Sequence, residues 1–169
     1  MKLNIDAKIE LRDKNGKRVK TIRKTLKSYV RGIIDQLYAN AVLDTYTRFC
    51  MQSSAGDSLF GVQVGIGETA VTISDSALET LILHGDTSGK LNYGSTSIGS
   101  VAIVGSTAKF TIARTLTNNS GADINVKEVG LRIKDTYTDT YVFIERTLLP
   151  FTIVNGTSGT VTYTISVTV

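Results

Sequence analysis

The chain has 169 residues, 41% hydrophobic and 20% charged, which suits one packed domain and argues against wholesale disorder. One Cys, one His, one Pro and no Trp cannot build a disulfide framework, and Cys50 and His84 stand far apart with no zinc-ligand motif around either. The net charge of +4 is uneven: residues 1 to 31 hold 11 of the 19 basic residues against three acids, a local +8, and the rest of the chain balances to −4.

A basic end on a mildly acidic body suits nucleic acid, an acidic membrane surface or an acidic patch on a protein. Met1 to Asp6 carries a positive charge with no apolar stretch behind it, so no secretory signal is expected. No apolar run approaches the ~18 residues of a membrane span. The first 24 residues read as a β-hairpin. Leu3, Ile5, Ala7, Ile9 and Leu11 alternate with polar residues, Asp13-Lys14-Asn15-Gly16 supplies the turn, and Arg18 to Lys24 returns with Val19 and Ile22. Its lysines would guard a sheet edge. No aromatic residue is interleaved with them, which weakens a single-strand-binding reading.

From about Ser28 to Val42, apolar pairs recur every four residues (Tyr29-Val30, Ile33-Ile34, Leu37-Tyr38, Ala41-Val42), which predicts an amphipathic helix packed on a sheet, with Ser28 as N-cap. Asp44 to Met51 could be a short strand and Gln52 to Ser58 a loop. Beyond that the chain reads as β throughout, with 23 threonines and strands punctuated by glycines. Lys109 to Thr117 is a strand with Phe110, Ile112 and Leu116 on one side; Arg114 shares that side and should reach a rim or a carboxylate. Asn118 to Gly121 is a turn. The inward phase runs Ile124, Val126, then Val129, Leu131, Ile133, so a β-bulge or a change of sheet is expected near Lys127-Glu128. Asp135 to Thr140 reads as an exposed loop too poor in carboxylates and glycine for calcium. Tyr141 to Ile144 is apolar on both faces, and Pro150 belongs at a strand edge or bend. The last strand sets Val161, Tyr163, Ile165 and Val167 against a threonine face.

The search for chemistry finds little. Gly65-Ile66-Gly67-Glu68-Thr69-Ala70 fits a dinucleotide pattern on paper, but β-branched and turn-like residues follow it where a helix is required, so the glycines are read as ending a strand tightly. His84 with Asp86 lacks a nucleophile elbow and reads as a structural histidine at a strand end. Cys50, between Phe49 and Met51, reads as a small buried hydrophobe. Glu68, Asp75, Glu79, Glu128 and Glu145 could supply paired carboxylates, but no spacing selects a pair. Asn118 and Asn155 head glycosylation patterns that carry little weight without a signal peptide.

Three tracts carry a resemblance. Gly65 to Leu78 resembles a VGxGxxxxTxxDxxL tract. Arg114-Thr115-Leu116-Thr117-Asn118-Asn119-Ser120-Gly121, continuing through Ile124 to Leu131, resembles RTFTNNSGxxITVNEVGL. Arg146 to Thr157, leading into Val161 to Ile165, resembles ARxxxxPVTVxxGxxxTVTYTI. Together they are similar to small virion structural proteins of tailed bacteriophages, associated with capsid, neck or tail. The resemblance covers roughly residues 60 to 168. It implies a jelly-roll-like β-sandwich, no enzymatic activity and a role built on repeated contacts in a particle.

These readings converge on a mainly β, single-domain chain: a basic hairpin and helix over 1–43, appended to a β body over 44–169. No catalytic, metal or cofactor site is expected. The leading expectation is a capsid decoration or cement protein, a homo-oligomer such as a trimer, binding the major capsid protein in the virion after synthesis in the host cytoplasm. A neck or tail adaptor is the alternative; nucleic-acid binding through residues 1–31 and a carbohydrate-active enzyme rank lower. The expected contact residues are Lys14, Lys17, Arg18, Lys20, Arg23 and Lys24 on the hairpin, then Tyr137 and Tyr141.

Overall fold

The computed structural model describes residues 2–26 and 49–168. The helix expected from 28 to 42, and residues 44 to 48 of the expected short strand, lie outside the described residues. Among those described, ten strands form: β1 (Lys2–Arg12), β2 (Arg18–Leu26), β3 (Phe49–Cys50), β4 (Gly61–Gly65), β5 (Asn92–Ile98), β6 (Ala102–Val104), β7 (Thr107–Thr117), β8 (Ile124–Asp135), β9 (Thr140–Ile153) and β10 (Ser158–Thr168). All pair antiparallel, in two sheets. The first runs β2-β1-β10-β7, with β5 and β6 sharing the far edge of β7. The second centres on β8, with β9 along one edge and β4 and β3 in succession along the other.

One cluster of buried side chains joins the two sheets, so the architecture is mainly β and sandwich-like. The alternation of β1 puts Ile5, Ala7, Ile9 and Leu11 inside. The first three stand opposite Ile165, Tyr163 and Val161 of β10. Each large aliphatic side chain removed from water in this way contributes roughly 1.5–3 kcal/mol. This placement corrects the reading of the hairpin as an appendage: β1 is an interior strand, flanked by β2 and β10, and carries part of the core. The turn forms as its residues require, with Gly16 at φ +76° and the Asp13 carboxylate accepting from the amides of Asn15 and Lys17, both at 2.9 Å.

The phase slip near Lys127-Glu128 is a register break between Val126 and Glu128. Between this break and a second, between Leu131 and Arg132, Glu145 stands opposite inward-facing Leu131 and Arg146 opposite Gly130 on the other face. Pro150 is exposed on β9, across from the first break, where no ladder bond is lost. The chain changes sheets between β7 and β8 and again between β9 and β10. Asn118 ties those two corners together: its Nδ2 donates to Ile153 O (2.7 Å) and Ala122 O (2.8 Å), and its backbone carbonyl accepts from Gly156 N (2.7 Å). Two smaller expectations are corrected. Asp135 is the buried end of β8, its carboxylate accepting from Tyr137 N at 2.9 Å, so the exposed turn begins after it. Cys50 is half-exposed, with its Sγ 3.5 Å from Gln52 O.

Candidate functional site

Four arrangements have the chemistry to act on something outside the chain, and three of them find their partners within it. The first is Arg114. The expected rim or carboxylate is not where it goes. Its side chain is enclosed because β7 places it on the inner face, between Ile112 and Leu116. All five N–H groups of the guanidinium find backbone carbonyls: Nε reaches Gly94 (2.7 Å), Nη1 reaches Phe60 (3.1 Å) and Val62 (3.2 Å), and Nη2 reaches Ser54 (3.0 Å) and Asp57. The guanidinium carbon lies 4.7 Å from the centroid of the Tyr93 ring. Burial pushes the arginine pKa down, with Tyr93 and Asp57 opposing that shift. The group gathers the 54–62 segment onto the core and has no donor left for a ligand.

The second arrangement assembles three of the five acids that the sequence could not pair. Arg146 Nε donates to Glu128 Oε2 at 2.6 Å, Nη1 to Asp75 Oδ2 at 3.0 Å and Nη2 to Glu79 Oε2 at 3.2 Å. Glu128 is wholly enclosed and also accepts from the amides of Gly67 (3.0 Å), Glu79 (3.2 Å) and Thr80 (2.9 Å). The Gly-x-Gly motif acquires a physical meaning here. A Cβ on Gly65 or Gly67 would run into the Glu128 carboxylate. The glycines open an anion cradle, and the chain fills it with its own glutamate. For Asp75, burial pushes the carboxyl pKa up, but the hydrogen bonds from Arg146 and Thr72 outweigh it and hold the pKa below its ordinary value. The network fastens the 66–80 segment over the second sheet.

The third is Glu145, buried between the sheets with Tyr163 Oη 2.8 Å from its Oε2. Burial pushes its pKa up to about 7, against the pull of Tyr163 and Lys24. Lys24 itself donates to Leu148 O at 2.8 Å, closing the seam between β2 and β9. His84 is exposed at a bridge to Leu91, and its Nδ1 accepts from Tyr93 N at 3.1 Å. Among the described residues, no group of three or more His, Cys, Asp or Glu side chains is arranged to hold a metal ion.

The fourth faces outward. Along β7 and β10 the outer side of the first sheet presents Thr107, Thr111, Thr115, Thr160, Thr162, Thr164 and Thr168 in cross-strand ranks, some joined hydroxyl to hydroxyl, as Thr115 is to Thr160 at 2.9 Å. Toward β2 these ranks continue into charge: Thr162 is followed by Lys8 and Arg23, and Thr164 by Asp6 and Thr25. A shallow groove of about 520 Å³ opens here, lined by Thr111, Thr162, Thr164, Asp6, Lys8 and Arg23 among others. The groove is shallow because threonine is the largest side chain on the outer side of β10, while Lys8 and Arg23 on one side and Lys109 on the other reach farther out.

The expected contact residues do not form one patch. Lys14 and Lys17 sit at the exposed turn, Arg18 and Arg23 on the outer face, and Lys20 and Lys24 in the inward phase of β2, opposite Leu11 and Ala7. Arg18 lies 3.4 Å from Glu10. Tyr141 is packed within the chain, under the Arg132 guanidinium at 4.7 Å and 6.2 Å from the Phe60 ring, while Tyr137 is exposed on the turn before β9. Sequence reasoning passed over the run from Ile98 to Val104, which carries exposed aliphatic side chains along the edge opposite β2. The signal was present: Val101-Ala102-Ile103-Val104 ahead of Gly105-Ser106 is a β-branched strand entering a turn. Compared with family models, curated proteins and solved structures, the chain matches none of them.

Proposed function

We propose that this chain is an adhesive structural protein, of the tailed-phage virion kind its sequence resembles, and that it works as a decoration or cement subunit on the major capsid protein. The observation that carries this reading is the shallow outer face of the first sheet, where ranks of threonine run into Lys8 and Arg23. Such a face suits docking on a repeated, mildly acidic protein surface, because hydroxyls hydrogen-bond without demanding a deep cleft and the cations supply orientation. Each copy needs only a modest contact, since a symmetric shell multiplies it. The internally paired arginines and glutamates serve the same end by stiffening the subunit. Their donors and acceptors are satisfied within the chain, leaving the outer face to do the binding.

The connectivity supports the jelly-roll expectation. The β8·β9 pair is nested inside β7·β10, and β5·β7 inside β4·β8, so long hairpins fold over from one sheet to the other. The test is a copy count: quantitative mass spectrometry of density-purified particles produced by the source of this chain. Hundreds of copies per particle are expected for a decoration protein. About a dozen or fewer would move the chain to the neck or tail, and none would overturn the virion reading.

A further inference from the structure

The two edges of the first sheet are built in opposite ways. Along β2, exposed Arg18, Lys20, Arg23 and Lys24 form the cationic fringe by which proteins keep stray strands from adding to an edge. The opposite edge carries no charge on its own strand; the nearest cation is Lys109 of β7, exposed and opposite Ala102. From Ile98 to Ala108 no residue is charged and none is proline. Ile98, Val101, Ile103 and Val104 are between 46% and 75% exposed, and β6 pairs with β7 on one side while its other side bears no strand among the described residues. Ile103 and Val104 are neighbours in β6 and point to opposite faces, so exposed aliphatic side chains flank this edge on both faces of the sheet.

We propose that the β5–β6 edge pairs with the same edge of a second copy, antiparallel, about a two-fold axis near Ile103. Charge favours this occupant. The basic fringe stands four strand spacings away, about 19 Å at ~4.8 Å per strand, more than two screening lengths at physiological salt. Lys109 of β7, the cation nearest the seam, would face its copy across three spacings, about 14 Å, still beyond one screening length, so two cationic copies meet little repulsion through β6. Pairing β6 of one copy with β2 of another would instead press aliphatic side chains against that fringe. A self-complementary edge closes as a dimer and leaves both threonine faces available. The inference rests on the adhesive reading and names one of its partners, a second copy of this chain.

The test is sedimentation equilibrium of the full chain from micromolar to hundreds of micromolar, at physiological and at 1 M salt. A monomer–dimer equilibrium is expected, with a dissociation constant on the order of 10 µM for so small an interface and little change with salt. Ile103→Lys places like charges across the axis and is expected to weaken dimerisation at least ~30-fold. Its side chain is exposed, so the far-UV spectrum and Tm should match the parent. Val154→Lys, the same exchange on an exposed residue at the other end of the sandwich, should leave the dimer within about twofold of the parent. A monomer at every concentration overturns the pairing, as does an equal response to the two lysine variants. Amides 102–104 protected from exchange to the same degree at all concentrations would also overturn it, because the cover would then come from the chain itself, residues 27–48 included. None of these results touches the particle count, which judges the adhesive reading separately.

Discussion

Replacing Arg114 by methionine keeps most of the side chain's bulk and deletes five donors at once. The five carbonyls it serves come from two separate stretches, Ser54 to Val62 and Gly94. A hydrogen bond from a charged donor contributes about 1.5–3 kcal/mol, and a buried carbonyl left without a partner costs about 1–3. Methionine recovers part of this by removing a charge that was expensive to bury. The net loss should therefore fall near 3–5 kcal/mol rather than at the sum of five bonds. Lysine, with three donors on a single nitrogen, can serve some of the carbonyls, so Arg114→Lys should lose less, about 2–3 kcal/mol. With a urea dependence of ~2 kcal/mol/M, Arg114→Met lowers the unfolding midpoint by about 2 M. Hydrogen exchange should localise the effect, with amides of residues 54–60 losing protection ahead of those in β1 and β10. A methionine variant within about 1 kcal/mol of the parent, or one that loosens the whole chain evenly, would refute the view of Arg114 as the fastening of that segment.

The remaining predictions concern the carboxylates. Glu145 has a folded pKa of about 7 against 4.5 for the free side chain, so its neutral form suits the fold. Its contribution is complete below pH 4.5 and is lost as the pH climbs toward 7, for a total of up to about 3 kcal/mol. Glu145→Gln should remove that slope, matching the parent near pH 4.5 and exceeding it at pH 8 in urea titrations; parallel curves for the two proteins would contradict the assignment. Asp75 runs the other way, because its carboxyl is held below the ordinary 3.8 by Arg146 and Thr72, and its contribution is lost as the pH falls through that region. Gly67→Ala puts a Cβ against the Glu79 side chain and within 2.7 Å of Glu128 Oε1. It should cost about 1–3 kcal/mol by calorimetry, and a neutral result would show that the cradle can widen.

What the sequence made legible was whatever depends on neighbours along the chain. The alternation of β1 and β10, the Asn15-Gly16 turn and the phase slip at Lys127-Glu128 are all local patterns, and each stands in the fold as read. The hidden features are those that close across long separations. Arg114 looked like a rim residue because nothing near it in sequence reveals that five carbonyls, up to 60 residues away, converge on it. Glu128 and Arg146 are 18 positions apart, on paired strands, and their partnership depends on the first register break, which takes Glu128 out of the inward phase of Ile124 and Val126 and onto the face of Arg146. The Gly-x-Gly tract was read as ending a strand tightly, and Gly65 does end β4, but the glutamate its glycines make room for shows only once β8 lies beside β4. The hairpin lysines read as one basic patch because charge was counted without strand phase. Pairing with β1 divides them between the two faces of the sheet.

The account stands on adhesion through the threonine face, and a reconstruction of intact particles tests that most directly. Density for this chain should recur around the shell, with Thr162, Thr164 and Arg23 against a neighbouring protein. Copies whose threonine face looks into open solvent, while another surface makes the contact, would contradict it.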